Sequence, residues 1–162
     1  MSYSKEIAEK LVEYLNEEDY NYDFDVKEGC IKMGFPLRKK LKRVRIVLDI
    51  EDDHYVSLGF IDINAGKESQ MEVAKYMTMV NYITLLGNFE MDFKDGEIRY
   101  KYVVEYDSNS LTGEIIKKSL DIPVSAFYFY GDELLKIIFG FATADEAFKA
   151  VTSDDSEDDV EA

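Results

Sequence analysis

Residues 88–100, Asn88-Phe89-Glu90-Met91-Asp92-Phe93-Lys94-Asp95-Gly96-Glu97-Ile98-Arg99-Tyr100, decide how the rest of the chain is read. Phe89, Met91 and Phe93 alternate with polar residues and Asp95-Gly96 is a turn dipeptide. Ile98, Tyr100, Tyr102, Val104 and Tyr106 then return at the same spacing. A period of two on both sides of an Asp-Gly pair predicts a β-hairpin, because side chains alternate across a strand and this dipeptide fits a tight turn. A hairpin with one apolar face is marginal in water by itself, so further strands and a covering layer must come from elsewhere in the chain.

Upstream, residues 69–86 carry helical spacing through Val73, Met77, Val80 and Leu85. Ser69 is a candidate cap and Gly87 the stop. Before that the period is two again. Strands are expected at 20–26 (Tyr20, Tyr22, Phe24, Val26), 31–35 (Ile31, Met33, Phe35), 43–51 (Val44, Ile46, Leu48, Ile50) and 54–63 (Val56, Leu58, Phe60, Ile61, Ile63). Lys27-Glu28-Gly29 and Asp52-Asp53 supply turns, and Pro36 ends its strand or marks a sheet edge. Residues 4–18 read as an amphipathic helix capped by Ser4, with Ile7, Ala8, Leu11, Tyr14 and Leu15 on one face. Downstream, helices are expected at about 112–120 and 122–139, with Pro123 in the first turn of the second, and a short last helix opens on the capping box Thr143-Ala144-Asp145-Glu146. The fold class is α+β in the order α-β-β-β-β-α-β-β-α-α. Tight turns imply a mostly antiparallel, twisted, meandering sheet with helices covering one face.

The 88–100 stretch also resembles the YbjN-like family, bacterial domains regarded as sensory-transduction regulators. Members share a helix carrying an asparagine (here Asn81), then Gly-x-Phe-Glu-x-Asp (here from Gly87), an Asp-Gly turn and an aromatic-rich strand. Ala144-Asp145-Glu146-Ala147 is similar to their closing helix. The resemblance follows residues 4–150 in element order and is sharp over about 85–106. It implies a fold similar to type III secretion chaperones, whose helices often pair two subunits, and it carries over no catalytic residue.

Composition narrows the function classes. The 162 residues suit one domain, 1–151, followed by an acidic, disordered tail over 152–162. The formal net charge is -15, and six of the last nine residues are acidic. Nucleic acid and anionic membrane are disfavoured partners, since both would repel such a chain. Cys30 is the single cysteine, so no intrachain disulfide can form, and the chain has neither a signal-peptide pattern at Met1–Glu6 nor an apolar run of roughly 18 residues. A cytoplasmic protein is the simplest expectation.

Candidate chemical sites fail the geometry they require. His54 follows Glu51, Asp52 and Asp53, but a single tight turn cannot point all four inward around a metal, and a solvated turn is the simpler reading. Asp19-x-Asn21-x-Asp23 has calcium-loop spacing, yet Phe24 stands where the loop needs glycine and Cys30 where it needs glutamate; Asp62-x-Asn64 fails likewise at Lys67 and Val73. Glycine-rich phosphate loops are absent, and Cys30 beside Gly29 reads as a small packed residue. No catalytic, metal or cofactor-binding residue is assigned, and no enzyme is expected.

Two surface features remain. Arg38, Lys39, Lys40, Lys42, Arg43 and Arg45 place six of the 19 basic residues within eight positions. They form a candidate contact for an anionic partner or for the acidic tail, or simply a solvated strand entry. Phe127-Tyr128-Phe129-Tyr130 spans about 300° of a helix, more than one core stripe holds. Helix 69–86 has the same surplus. Tyr76, Met79, Tyr82, Phe127, Phe129 and Tyr130 are therefore candidate interface residues for a homodimer or a bound protein segment, the alternative being packing among the chain's own helices. A pocket lined by Tyr100, Tyr102 and Tyr128 would instead suit a small-molecule sensor or a cryptic enzyme.

Overall fold

The computed structural model describes residues 3–105 and 110–153. In chain order they form α1 (Lys5–Glu17), β1 (Asp23–Asp25), β2 (Cys30–Pro36), β3 (Arg43–Ile50), β4 (His54–Phe60), α2 (Gln70–Ile83), β5 (Asn88–Met91), β6 (Ile98–Glu105), α3 (Gly113–Ile138) and α4 (Ala144–Ser153). The strands make one sheet in the order β1-β2-β3-β4-β6-β5, antiparallel at each pairing. The α+β class and the element order follow the hydrophobic periods.

The sheet meanders through β1 to β4 and then stops meandering. Helix α2 carries the chain past β4 to the far edge, and β6 returns into the gap between β4 and β5. Because β6 is antiparallel to both, β4 and β5 run parallel, a split β-α-β unit.

Register explains the core. Met33, Ile46, Gly59, Tyr100 and Phe89 lie in one cross-strand row, and Phe24, Ile31, Leu48, Ser57 and Tyr102 in another. Both rows face the helices. A Cβ built on Gly59 would lie 2.9 Å from Pro123 and 3.4 Å from the Phe127 ring, so α3 crosses directly over β4 at this glycine. Phe127 is fully buried there, its ring 5.2 Å from that of Phe89. Beside it, Tyr55 donates to Ser119, and burial pushes the Tyr55 hydroxyl well above the ordinary tyrosine range.

Local signals held at several ends. Ser4 accepts from the Ile7 amide and Thr112 from the Ile115 amide. Thr143 and Glu146 cap each other reciprocally, at 3.2 and 2.8 Å.

Other boundaries moved, each for a visible reason. The first strand starts only at Asp23, because the Tyr20 amide donates to the Leu15 carbonyl and the Tyr22 hydroxyl to Asn16, holding residues 20–22 on α1. Ser69 makes no side-chain cap; its hydroxyl donates to the Gly66 carbonyl instead. Helix α2 ends at Ile83, where Thr84 turns extended. Phe93 leaves the strand and is 52 % exposed, since Asp92 already opens the turn. The two helices expected over 112–139 are one helix, with Pro123 buried inside it against the sheet. Helix α4 runs to Ser153; Tyr106 and the rest of the proposed tail, 154–162, lie outside the described residues.

Candidate functional site

The β5–β6 hairpin is held by its own polar residues and by Asn81 of α2. In β5 the Phe89 amide donates to Asn81 Oδ1 at 2.8 Å, and Asn81 Nδ2 donates to the Phe89 carbonyl at 3.0 Å. One side-chain amide thus occupies both outward groups of an edge-strand residue, as a neighbouring strand would. Glu90 accepts from Arg99 at 2.7 Å, from Asn88 at 3.2 Å and from Lys101. Burial works to raise the Glu90 carboxyl, but these donors prevail and hold it below the usual glutamate range.

The turn is fixed by Asp92 and Asp95, which accept from the Lys94 and Glu97 amides. Gly96 has φ +78°, and a side chain there would strike the Ala65 carbonyl. Tyr100 donates to the Leu86 carbonyl at 2.6 Å, and burial pushes its hydroxyl up to about 12. Each polar member of the motif therefore has a structural task. What the motif builds is a sheet edge closed at Phe89.

The candidate interface residues separate into three groups. Tyr76 and Phe127 are core residues, a correction to their assignment: Tyr76 donates to the Tyr130 carbonyl at 3.1 Å, and Phe127 fills the space between α3 and β5. They are covered because α2, α3 and α4 pack on one another as well as on the sheet. Tyr130 is half-buried against Phe89, and Met79 is half-buried on α2. Phe129 and Tyr82 point outward, 66 % and 93 % exposed. The four aromatics on α3 thus divide two inward and two outward, since Tyr128 is also 41 % exposed.

Sequence reading singled out Tyr82 but not the exposed apolar run that continues from it. Tyr82 and Ile83, at the end of α2, and Leu85 and Leu86, in the connection to β5, are all exposed, Leu85 at 97 %. The signal was present: apolar residues continue past the last inward position of α2, up to Gly87. A helix taken to run on to Leu86 concealed it.

The basic segment is spread along a bend and a strand. Leu37 and Leu41 are buried anchors, and Leu41 donates its amide to Asp132 at 3.0 Å. Lys39 lies 4.5 Å above the Tyr128 ring, and Arg45 5.0 Å above Phe60 while 4.0 Å from Asp62. Arg38, Lys40, Lys42 and Arg43 are exposed. They cluster at the β2–β3 end of the sheet.

The alternative tyrosine pocket does not assemble. The Tyr100 hydroxyl lies at Leu86 beside β5, whereas Tyr128 lies under Lys39 near the β2–β3 connection, at the other end of the strand order. His54 opens β4 just after the exposed turn, half-buried, with Nδ1 2.7 Å from Asp53 Oδ1. Burial pushes the Cys30 thiol up, which lowers its thiolate fraction and its nucleophilicity. Among the described residues no group of three His, Cys, Asp or Glu is placed to hold a metal ion, and no helix is long and apolar enough to cross a membrane.

No known protein-family description and no curated protein matches this chain.

Proposed function

We propose that the chain is a non-enzymatic protein-binding module that acts as a homodimer, with the exposed run Tyr82–Leu86 in the subunit contact. The observation that carries this reading is the exposure of Tyr82, Ile83, Leu85 and Leu86 together, beside an edge already sealed by Asn81. A monomer rarely leaves such a group in water, and a two-fold pairing would bury each copy's run against the other's. Phe129 and Tyr128 extend the apolar surface available on α3. The YbjN-like resemblance, with its chaperone-like pairing of helices and its regulatory role in a bacterial cytoplasm, belongs to the same proposal.

Light scattering coupled to size exclusion tests it. The intact chain is expected at twice its 18.7 kDa mass. Tyr82→Ser with Leu85→Ser should return it to a monomer with an unchanged circular dichroism spectrum, because neither side chain is in the core. A monomeric intact chain at high concentration overturns the dimer.

A further inference from the structure

The other edge of the sheet is open. Strand β1 pairs only Cys30–Lys32 of β2, while β2 continues to Pro36 with β3 on its far side. Bonding parity shows which groups this leaves outward. The Leu37 amide donates to the Lys42 carbonyl and the Ile50 amide to the Gly29 carbonyl, so odd-numbered residues of β2 bond to β3 and even-numbered residues face away. Gly34 therefore turns both its N–H and its C=O outward, and Pro36 its C=O; both residues are exposed. The chain before β1 does not continue the pairing: residues 20–22 are held on α1, and Asn21 and Tyr22 only line the space beside Gly34.

A hollow of about 440 Å³ lies beside this edge, lined by Asn21, Tyr22, Lys32, Gly34, Arg43 and Arg45 among others. The Arg43 guanidinium lies across the face of Gly34, where a side chain would displace it. Lys32 and Arg43 have no ion-pair partner among the described residues, and Arg45 has Asp62 at 4.0 Å. Three cations thus face an unpaired stretch of backbone on a chain of net charge -15.

We infer that this edge binds an acidic, extended peptide segment, which adds to the sheet beside β2 through Gly34 and sets carboxylates on Lys32, Arg43 and Arg45. The backbone chooses the class of ligand. Gly34 offers a donor and an acceptor at strand spacing, and a peptide answers both, whereas a phosphodiester backbone has no N–H to give its carbonyl. The cations add the preference for acid and make binding sensitive to salt. The inference rests on reading the chain as a binding module, but it uses the edge opposite Tyr82–Leu86.

The test is a fluorescence-anisotropy titration of the intact chain with a labelled peptide alternating glutamate with valine, against the same peptide carrying glutamine. A single-stranded oligonucleotide serves as the other polyanion. The glutamate peptide should bind, more weakly as salt rises, and slow hydrogen exchange at the Gly34 amide about tenfold or more. Lys32→Glu with Arg43→Glu should weaken it about tenfold, leaving the oligomeric state unchanged. Equal binding of both peptides, binding of the oligonucleotide alone, or protection that spares Gly34 overturns the site. Light scattering on the unsubstituted chain separates the two readings: a dimer that does not bind the glutamate peptide removes this site, and peptide binding by a monomer removes the dimer.

Discussion

At the β5 edge the outward amide and carbonyl of Phe89 are both bonded to Asn81, whereas at the β2 edge those of Gly34 face solvent between cations. An unpaired edge invites pairing with other chains, and proteins blunt it by covering it or by charging it. Here one edge is covered at Phe89 and the other is charged. Covering needs an asparagine on a helix that docks at one height, eight residues upstream of the strand residue it holds. Charging needs no partner inside the molecule. Lys32, Arg43 and the missing N–H of Pro36 discourage self-pairing, yet they leave a place that an acidic strand complements.

The difference can be broken hardest at the sealed edge. Asn81→Ala leaves the Phe89 amide and carbonyl without their partner beneath α2. We expect a loss of roughly 2 kcal/mol, on the order of 4–8 °C in Tm, measured by thermal unfolding at neutral pH. An unchanged Tm would mean that water replaces the asparagine at no cost.

A smaller effect is expected at Glu90, on the same hairpin. Glu90→Gln removes the charge that Arg99 and Lys101 share, for about 1 kcal/mol at this partly exposed site. The sign of its pH dependence follows from the lowered carboxyl. A depressed acid stabilises the fold above its unfolded value and loses that contribution as pH falls through the folded one. Stability of the intact chain should therefore decline below the ordinary glutamate range, near 4.5, and the variant should decline less. Chemical denaturation at several acidic pH values measures both.

The smallest effect belongs to the open edge. Gly34→Ala puts a methyl group against the Arg43 guanidinium, the mobile end of a long side chain that can swing away. A change within about 0.5 kcal/mol is expected. A large loss would show that Arg43 is fixed by the fold rather than poised for a ligand.

Much of this was legible because periods of two and 3.6 report which side chains must leave water. The Asp95-Gly96 hairpin, the Ser4 cap and the Thr143–Glu146 box depend on near neighbours, and each formed where expected, although Phe93 left its strand. Pro123 was misjudged because a proline's local cost does not reveal that it will be packed against Gly59, 64 positions earlier. Tyr76 and Phe127 were taken for surface because a helix wheel counts residues and cannot know how many sides will be covered. The α2–α3–α4 layer covers more than one.

By itself the sequence determined an acidic α+β chain with an antiparallel sheet and the Asp95-Gly96 hairpin, whereas Asn81 was joined to that hairpin only by the YbjN-like resemblance. Local spacing is enough for the sheet and the hairpin, since turns, caps and alternation are settled within a few residues. Which edge is sealed and which stays open was decided only by tertiary structure. Asn81 reaches Phe89 because α2 carries β5 outward past β6, and Gly34 stays unpaired on its outward side because residues 20–22, held on α1, line the space beside it without continuing the β1 pairing. Those are consequences of where whole elements pack, and no pattern inside either strand encodes them.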